Sequence, residues 1–267
     1  MTTKDLLSHF NLTQLPFSKE IPVAQLLELP SLQRAYSSLE LLVETRGIGL
    51  LLGKSGTGKS SLLRKLCACL HGGLYKPLYL CHTSVSLNEF YTHLCAAFGL
   101  EPVFRRSKMF RMIQDRVLAL NRSNRIHPIL LVDESQYLSN SILQEIRLLT
   151  NFEIDSLNAL TVLLCGREEL AMQFDLSILE PLANSITLTV HLDGLSKEES
   201  FSYIEGRLHH CGNSTPVFTK NALELTHQAS AGIMRDINAI AHGALMNAYL
   251  GGSPQVEAEH VKSAIER

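Results

Sequence analysis

One octapeptide constrains this chain more than any other feature. Gly53-Lys54-Ser55-Gly56-Thr57-Gly58-Lys59-Ser60 fills the pattern G-x-x-x-x-G-K-[ST] directly behind an apolar run, Ile48-Gly49-Leu50-Leu51-Leu52. A strand, a glycine turn and a helix starting near Ser60 are what a phosphate-binding loop requires. The glycines let backbone N–H groups converge on a polyphosphate, and the helix N-terminus adds a partial positive charge. On this reading Lys59 reaches the β- and γ-phosphates and the Ser60 hydroxyl ligates Mg²⁺, with Ser61 following in the cradle. Chance matches occur in surface turns of unrelated proteins, but this match is complete and in the right context. It predicts a chain that binds a nucleoside triphosphate.

The 267 residues, 45% hydrophobic and 19% charged, suffice for one large α/β domain and a small second one. No apolar run approaches the roughly 18 residues that cross a bilayer. The start, Met1-Thr2-Thr3-Lys4-Asp5-Leu6, lacks the apolar stretch of a signal peptide. The expectation is a soluble, cytoplasmic protein that does not partner a membrane. Cys67, Cys69, Cys81, Cys95, Cys165 and Cys211 fall in apolar patterns without a C-x-x-C pair, which predicts buried thiols in a reducing compartment. His209-His210-Cys211 reads as a helix end, since no second ligand cluster accompanies it.

Strands alternate with helices along the first 194 residues. After the loop come a helix from Ser61 to Leu70, a strand at Leu78 to Cys81 and a helix from Leu87 to Phe98 closed by Gly99. Pro128 to Asp133 is a continuous apolar strand of the kind buried on both faces of a parallel sheet, and further strands are expected at Leu160 to Cys165 and Ile186 to Leu192. Ahead of the loop, residues 1–46 read as an extended lead-in followed by a helix at Leu32 to Val43. From Leu195 the pattern is helical only: Ser196 and Glu199 fit a capping box, Thr219 caps a helix to about Ala229, and helices follow from Met234 and at Val256 to Ile265. The predicted domains are therefore an α/β nucleotide-binding domain, 1–194, and a helical lid, 195–267.

Hydrolysis needs a group that activates water. Asp133 ends an apolar strand, where it can hold Mg²⁺, and Glu134 follows at the strand tip, where it can polarise the attacking water. Alone, Asp-Glu reads first as a solvated turn; the strand and the loop favour the catalytic reading. The strand ending Cys165-Gly166-Arg167 is expected beside Asp133. Arg167 reads either as a γ-phosphate sensor or as an ordinary surface arginine. Arg235, just after Gly232 at the start of a lid helix, can couple nucleotide state to lid position, with a helix-end ion pair as the alternative.

Formal charge is −2, yet Arg105, Arg106, Lys108, Arg111, Arg116, Arg122 and Arg125 share a stretch with Asp115 as the single acid. Phe110, Ile113, Val117 and Leu120 give that stretch one apolar helix face. The basic residues can contact DNA phosphates without reading sequence, or form a solvated helix face.

These residues together resemble a known family. Leu12 with Pro16-Phe17, Gly53 to Ser60, Val132-Asp133-Glu134-Ser135-Gln136, Gly166 with Glu169-Leu170, His191-Leu192 with Leu195-Ser196, and Ala231-Gly232-Ile233 with Arg235 and Ile237-Asn238 look like the AAA+ ATPases of the ExeA type. That family includes a secretion-pathway ATPase and, similar in its ATPase core, transposition regulators of the TnsC, TniB and MuB kind. The resemblance implies a P-loop parallel sheet flanked by helices with a C-terminal lid, Asp133 and Glu134 as the Walker B pair, and Arg235 as the sensor 2 arginine. It also implies a ring or filament of identical subunits with ATP and Mg²⁺ bound. One departure stands out: family members carry an arginine ahead of the final core strand, where this chain reads Leu182-Ala183-Asn184-Ser185-Ile186. Since a trans arginine is worth several orders of magnitude in turnover, the expectation is either slow intrinsic hydrolysis or a substitute arginine, Arg167 or another residue. The chain stops after the lid, so stand-alone partners of DNA transposases, assembled on double-stranded DNA, are the expected relatives. A secretion or envelope-assembly ATPase and an ATP-dependent scaffold are the alternatives.

Overall fold

The computed structural model describes residues 3–18, 20–26 and 28–266. Met1, Thr2, Lys19, Leu27 and Arg267, and with them the outermost ends of the two predicted domains, lie outside the described residues. In chain order the first half runs α1 (Thr3–His9), α2 (Pro30–Thr45), β1 (Ile48–Leu52), α3 (Lys59–Cys69), β2 (Tyr75–Leu80), α4 (Leu87–Phe98), α5 (Arg106–Ser123) and β3 (His127–Val132). The second runs α6 (Asn140–Leu149), β4 (Thr161–Gly166), α7 (Glu168–Gln173), α8 (Glu180–Ala183), β5 (Ile186–His191), α9 (Lys197–His210), α10 (Lys220–Ser230), α11 (Met234–Leu250) and α12 (Ala258–Ile265). Contacts divide the chain into two compact units. Residues Arg34–Gly53 with Leu62–Leu192 form the sheet unit, and Met1–Gln33, Lys54–Ser61 and Asp193–Arg267 the helical unit.

In the sheet unit five strands pair in parallel in the order β2-β3-β4-β1-β5. Every residue of β1, β3 and β4 is buried, as a parallel sheet covered on both faces demands, whereas the edge strands β2 and β5 are partly exposed. The two strand prolines obey the ladder. Pro77 lies in the edge strand β2, and Pro128 stands one residue before the pairing of β3 with β4 begins at Ile129↔Thr161. In this order β3, β4 and β1 are successive neighbours, so their C-terminal ends lie side by side, the usual location of a ligand site in such sheets.

The helices end where their capping residues say. Ser86 and Glu89 form a capping box at α4, and Gly99 closes it in the left-handed conformation. On α5 the buried stripe is Met109, Ile113, Val117 and Leu120; the expected Phe110 is displaced to a half-buried flank because the spacing of four from Ile113 selects Met109. Helix α6, for which the sequence reading had no element, is capped by Ser139 and buries Ile142, Leu143, Ile146 and Leu149.

The helical unit has its own core, in which Leu6, Phe10, Leu12 and Phe17 join Tyr203, Ile204, Leu208, Phe218, Ile237 and Leu245. The predicted extended lead-in is instead helical from Thr3 to His9; too short to hold alone, α1 is fixed by burial of Leu6. Arg207, itself buried, donates from Nε to the Pro16 carbonyl at 2.6 Å, and Asn213 Nδ2 donates to the Phe10 carbonyl at 2.5 Å. Residues up to Gln33, expected with the nucleotide-binding domain, thus pack with the C-terminal helices. His210 is the last residue of α9 and Cys211 its cap, the expected helix end. The prediction of buried thiols fails in part. Cys95, Cys165 and Cys211 are buried, Cys67 is half-buried, and Cys69 and Cys81, each at the end of an element, are exposed. Among the described residues no helix is long and apolar enough to cross a membrane.

Candidate nucleotide site

The phosphate loop leaves β1 at Gly53, whose N–H donates to the Gly166 carbonyl at 3.2 Å, so its first residue is tied to the tip of β4. Within the loop, Thr57 is buried and turns its hydroxyl onto the Lys54 carbonyl at 2.9 Å. The Lys59 ammonium donates to the same carbonyl at 3.0 Å, which folds the loop back over the first turn of α3. Gly56 and Gly58 have φ of 90° and 102°, a region closed to L side chains. Helix α3 begins at Lys59, slightly earlier than predicted, with Ser60 exposed in its first turn and Ser61 half-buried behind it. Lys54 and Ser55 are exposed.

Arg235 meets this loop directly. Its N–H donates to the Gly56 carbonyl at 3.2 Å, and its guanidinium donates to Ser55 Oγ at 2.7 Å. The residues beside it complete the contact. A Cβ at Gly56 would lie 2.7 Å from that of Arg235 and 2.9 Å from Ile233, and one at Gly58 would collide with Met234. The turn that carries Arg235 is itself locked. Leu195 N–H donates to the Gly232 carbonyl at 2.8 Å, and Gly194 and Gly232 approach backbone so closely that a Cβ on either would strike the Ala231 or Leu195 carbonyl oxygen.

The acid pair sits at the end of β3. Asp133 is buried; its Oδ1 accepts from the Glu134 N–H at 2.9 Å and its Oδ2 from the Tyr79 hydroxyl at 2.9 Å. Burial, and then the neighbouring Asp133 carboxylate, push the Tyr79 phenol above its ordinary value, so it stays a donor. Glu134 leaves the strand in a left-handed conformation (φ 50°), unusual for a residue with a side chain, and its carbonyl accepts from Thr83 Oγ1 at 3.0 Å. Its carboxylate accepts from Gln136 Nε2 at 2.7 Å.

β4 pairs with β3 from Ile129↔Thr161 to Val132↔Leu164, so Arg167 follows the strand next to Asp133, as expected. Arg167 caps α7 without a side-chain bond, and its Nε is buried with no hydrogen-bond partner among the described residues. The stretch 182–186 forms the end of α8 and the start of β5, with Asn184 as the helix cap. Tyr79 and Thr83 were not anticipated from sequence. Only their position just before and after the end of β2, the strand beside β3, could have signalled them.

Residues 42–174 match the AAA domain family. General secretion pathway protein A of Aeromonas hydrophila is 34% identical over 212 residues, covering 79% of this chain and 38% of that protein. The chain therefore spans about two fifths of the length of this curated relative. Among solved structures, Cdc6p from Pyrobaculum aerophilum aligns with a TM-score of 0.71 at 18% identity, over 93% of this chain and 69% of its own. Drosophila ORC bound to DNA aligns with a TM-score of 0.73 at 16% identity, over 99% of this chain and 67% of its own. The strand order and the loop after β1 give the chain a P-loop fold of the AAA type with C-terminal helices, and over most of its length it is similar in sequence to that secretion-pathway protein.

Proposed function

We propose that this chain binds ATP with Mg²⁺, hydrolyses it, and uses the change of nucleotide to reset its C-terminal helices as a lid, in the manner of a secretion-pathway or envelope-assembly ATPase. The observation that carries the proposal is Arg235 bonded to the phosphate loop at Ser55 and Gly56, which puts a lid-borne cation beside the phosphate cradle. Gly53 to Ser61 supply the cradle, Lys59 the charge for the outer phosphates. The residues suit the metal: the Ser60 hydroxyl and the Asp133 carboxylate are the hard oxygen donors that Mg²⁺ takes. When bound, the ion neutralises charge on the β- and γ-oxygens. Glu134 orients and deprotonates water, Arg235 reads the phosphates, and Arg167, with its unpartnered Nε, is a second reader. Residues 182–186 offer no arginine to a neighbouring subunit, so turnover by the chain is slow and rises with a partner that supplies the missing group.

A second reading, an ATP-dependent DNA-binding regulator that recruits a transposase, is favoured by α5. Arg105 at its N-cap and Lys108 and Arg111 within it are exposed and make no ion pair among the described residues, whereas Arg106 and Arg122 are engaged by Glu145 and Glu153. A solved relative of the fold, Drosophila ORC, is bound to DNA. Turnover and sedimentation with ATP, with and without duplex DNA at low salt, separate the readings. ATP-driven assembly and hydrolysis indifferent to DNA support the first; stimulation by DNA that falls steeply with salt supports the second. Assembly on ATP without turnover removes both and leaves a scaffold.

A further inference from the structure

We propose that Gln136 is a positioning residue for Glu134, and that it ties the carboxylate to the tip of β4. The inference rests on the reading of Glu134 as the base. Three bonds define the arrangement. Gln136 Nε2 donates to Glu134 Oε2 at 2.7 Å, Gln136 Oε1 accepts the Arg167 N–H at 3.3 Å, and the Gln136 carbonyl accepts from Gln173 Nε2 on α7 at 3.0 Å. The two ends of the amide are thereby assigned by their partners: the carboxylate can only accept and the peptide N–H can only donate.

The local backbone explains why Glu134 needs such a support. Its left-handed conformation takes it out of the strand, where neighbouring strands would have fixed its direction. Asp133 Oδ1 and Thr83 Oγ1 hold its main chain, and among the described residues Gln136 holds its carboxylate. A base that turns away from the line of attack loses rate without losing substrate, since misplacement of about 1 Å costs on the order of a hundredfold. Gln136 also packs against the strand tip. A Cβ at Gly166 would lie 2.9 Å from Gln136 Oε1, so the glycine leaves room for the amide. A displacement of Arg167 therefore pulls on the same side chain that aims Glu134.

Among side chains of this length, an amide supplies both the donor that the carboxylate needs and the acceptor that the peptide N–H needs. Glutamate keeps the acceptor for Arg167 but sets a second carboxylate against Glu134. Leucine keeps the volume and has neither polar group. The test compares wild type, Q136E and Q136L in ATP affinity, in turnover, and in the pH dependence of turnover. Both variants should bind ATP within about twofold of wild type and turn it over roughly tenfold to a hundredfold more slowly. In Q136E the acid limb of the pH–rate profile should move to higher pH, because adjacent carboxylates resist ionising together; in Q136L the rate should drop with little movement of the limb. Q136L covers the case in which the added charge unfolds Q136E. An active wild type matched by both variants in rate and profile overturns the positioning role alone. A wild type that binds ATP and never hydrolyses it overturns the assignment of Glu134, and this proposal with it.

Discussion

The guanidinium of Arg235 donates to Ser55 Oγ at 2.7 Å while its N–H holds the Gly56 carbonyl. One residue at the start of α11 thus grips two adjacent residues of the phosphate loop, one through its side chain and one through its backbone.

Replacing Arg235 by alanine removes the side-chain grip and keeps the backbone one. Mg-ATP affinity should fall about tenfold, roughly 1.4 kcal/mol, the size of one charge-assisted hydrogen bond. Titration calorimetry in a Glu134→Gln background, where ATP is not consumed, measures it. Because Arg235 is exposed, the melting temperature of the nucleotide-free protein should barely change.

Glu134→Gln and Lys59→Ala should separate binding from chemistry. The first should retain ATP and lose about two to four orders of magnitude in turnover, the contribution of a general base. The second should lose both, since the ammonium that stands over the loop is gone. Equal turnover in Glu134→Gln and wild type would remove Glu134 from the base role.

Alanine at Gly58 must adopt a φ of 102° and push its methyl into Met234. Strain of this kind costs on the order of 1–3 kcal/mol, so Gly58→Ala should lower the melting temperature by several degrees and abolish nucleotide binding. Gly72→Ala is the control. It has a negative φ and open space around the added methyl, and should match wild type in both assays.

His127 supplies a pH dependence of stability. Buried at the start of β3, it bonds through Nδ1 to Asn121 Oδ1 at 3.1 Å and through Nε2 to Thr161 Oγ1 at 2.8 Å. Asn121 spends its amide donors on the Val117 and Ala159 carbonyls, so its Oδ1 accepts the proton carried by Nδ1. Burial first, and Arg46 second, lower its pKa to about 4. The unfolded chain, titrating near 6.5, then binds more protons than the native one between pH 6.5 and 4, so stability falls as pH drops through that window. The loss from this residue is about 3 kcal/mol at most. Denaturant midpoints measured from pH 7 to 4 should decline less steeply in His127→Gln than in wild type.

Much of this was legible in the sequence because the signals were local. The octapeptide, the apolar strand before Asp133, the capping box at Ser196 and the cap at Thr219 are each set by neighbours within a few residues, and each stands where the spacing puts it. What escaped depended on distant partners. Helix α1 exists because Leu6 and Phe10 find a core built mainly from residues beyond Leu195, and no periodicity over seven residues reveals that. Tyr79 reaches Asp133 only after β2 and β3 have paired. Helix α6, by contrast, was readable: Ile142, Leu143, Ile146 and Leu149 follow helical spacing behind a serine cap. Exposure of Cys69 and Cys81 turned on element ends, which apolar pattern locates poorly.

The contact between Gly194, Leu195 and Gly232 has a consequence for how injury would present. Backbone rests on backbone there, with no side chain to yield, so the segment entering the helices and the turn before Arg235 behave as one lever. A methyl group added at either glycine tilts the lever's far end, where Arg235 touches Ser55. Damage to the first of the C-terminal helical residues would surface as weakened nucleotide binding, with the sheet intact.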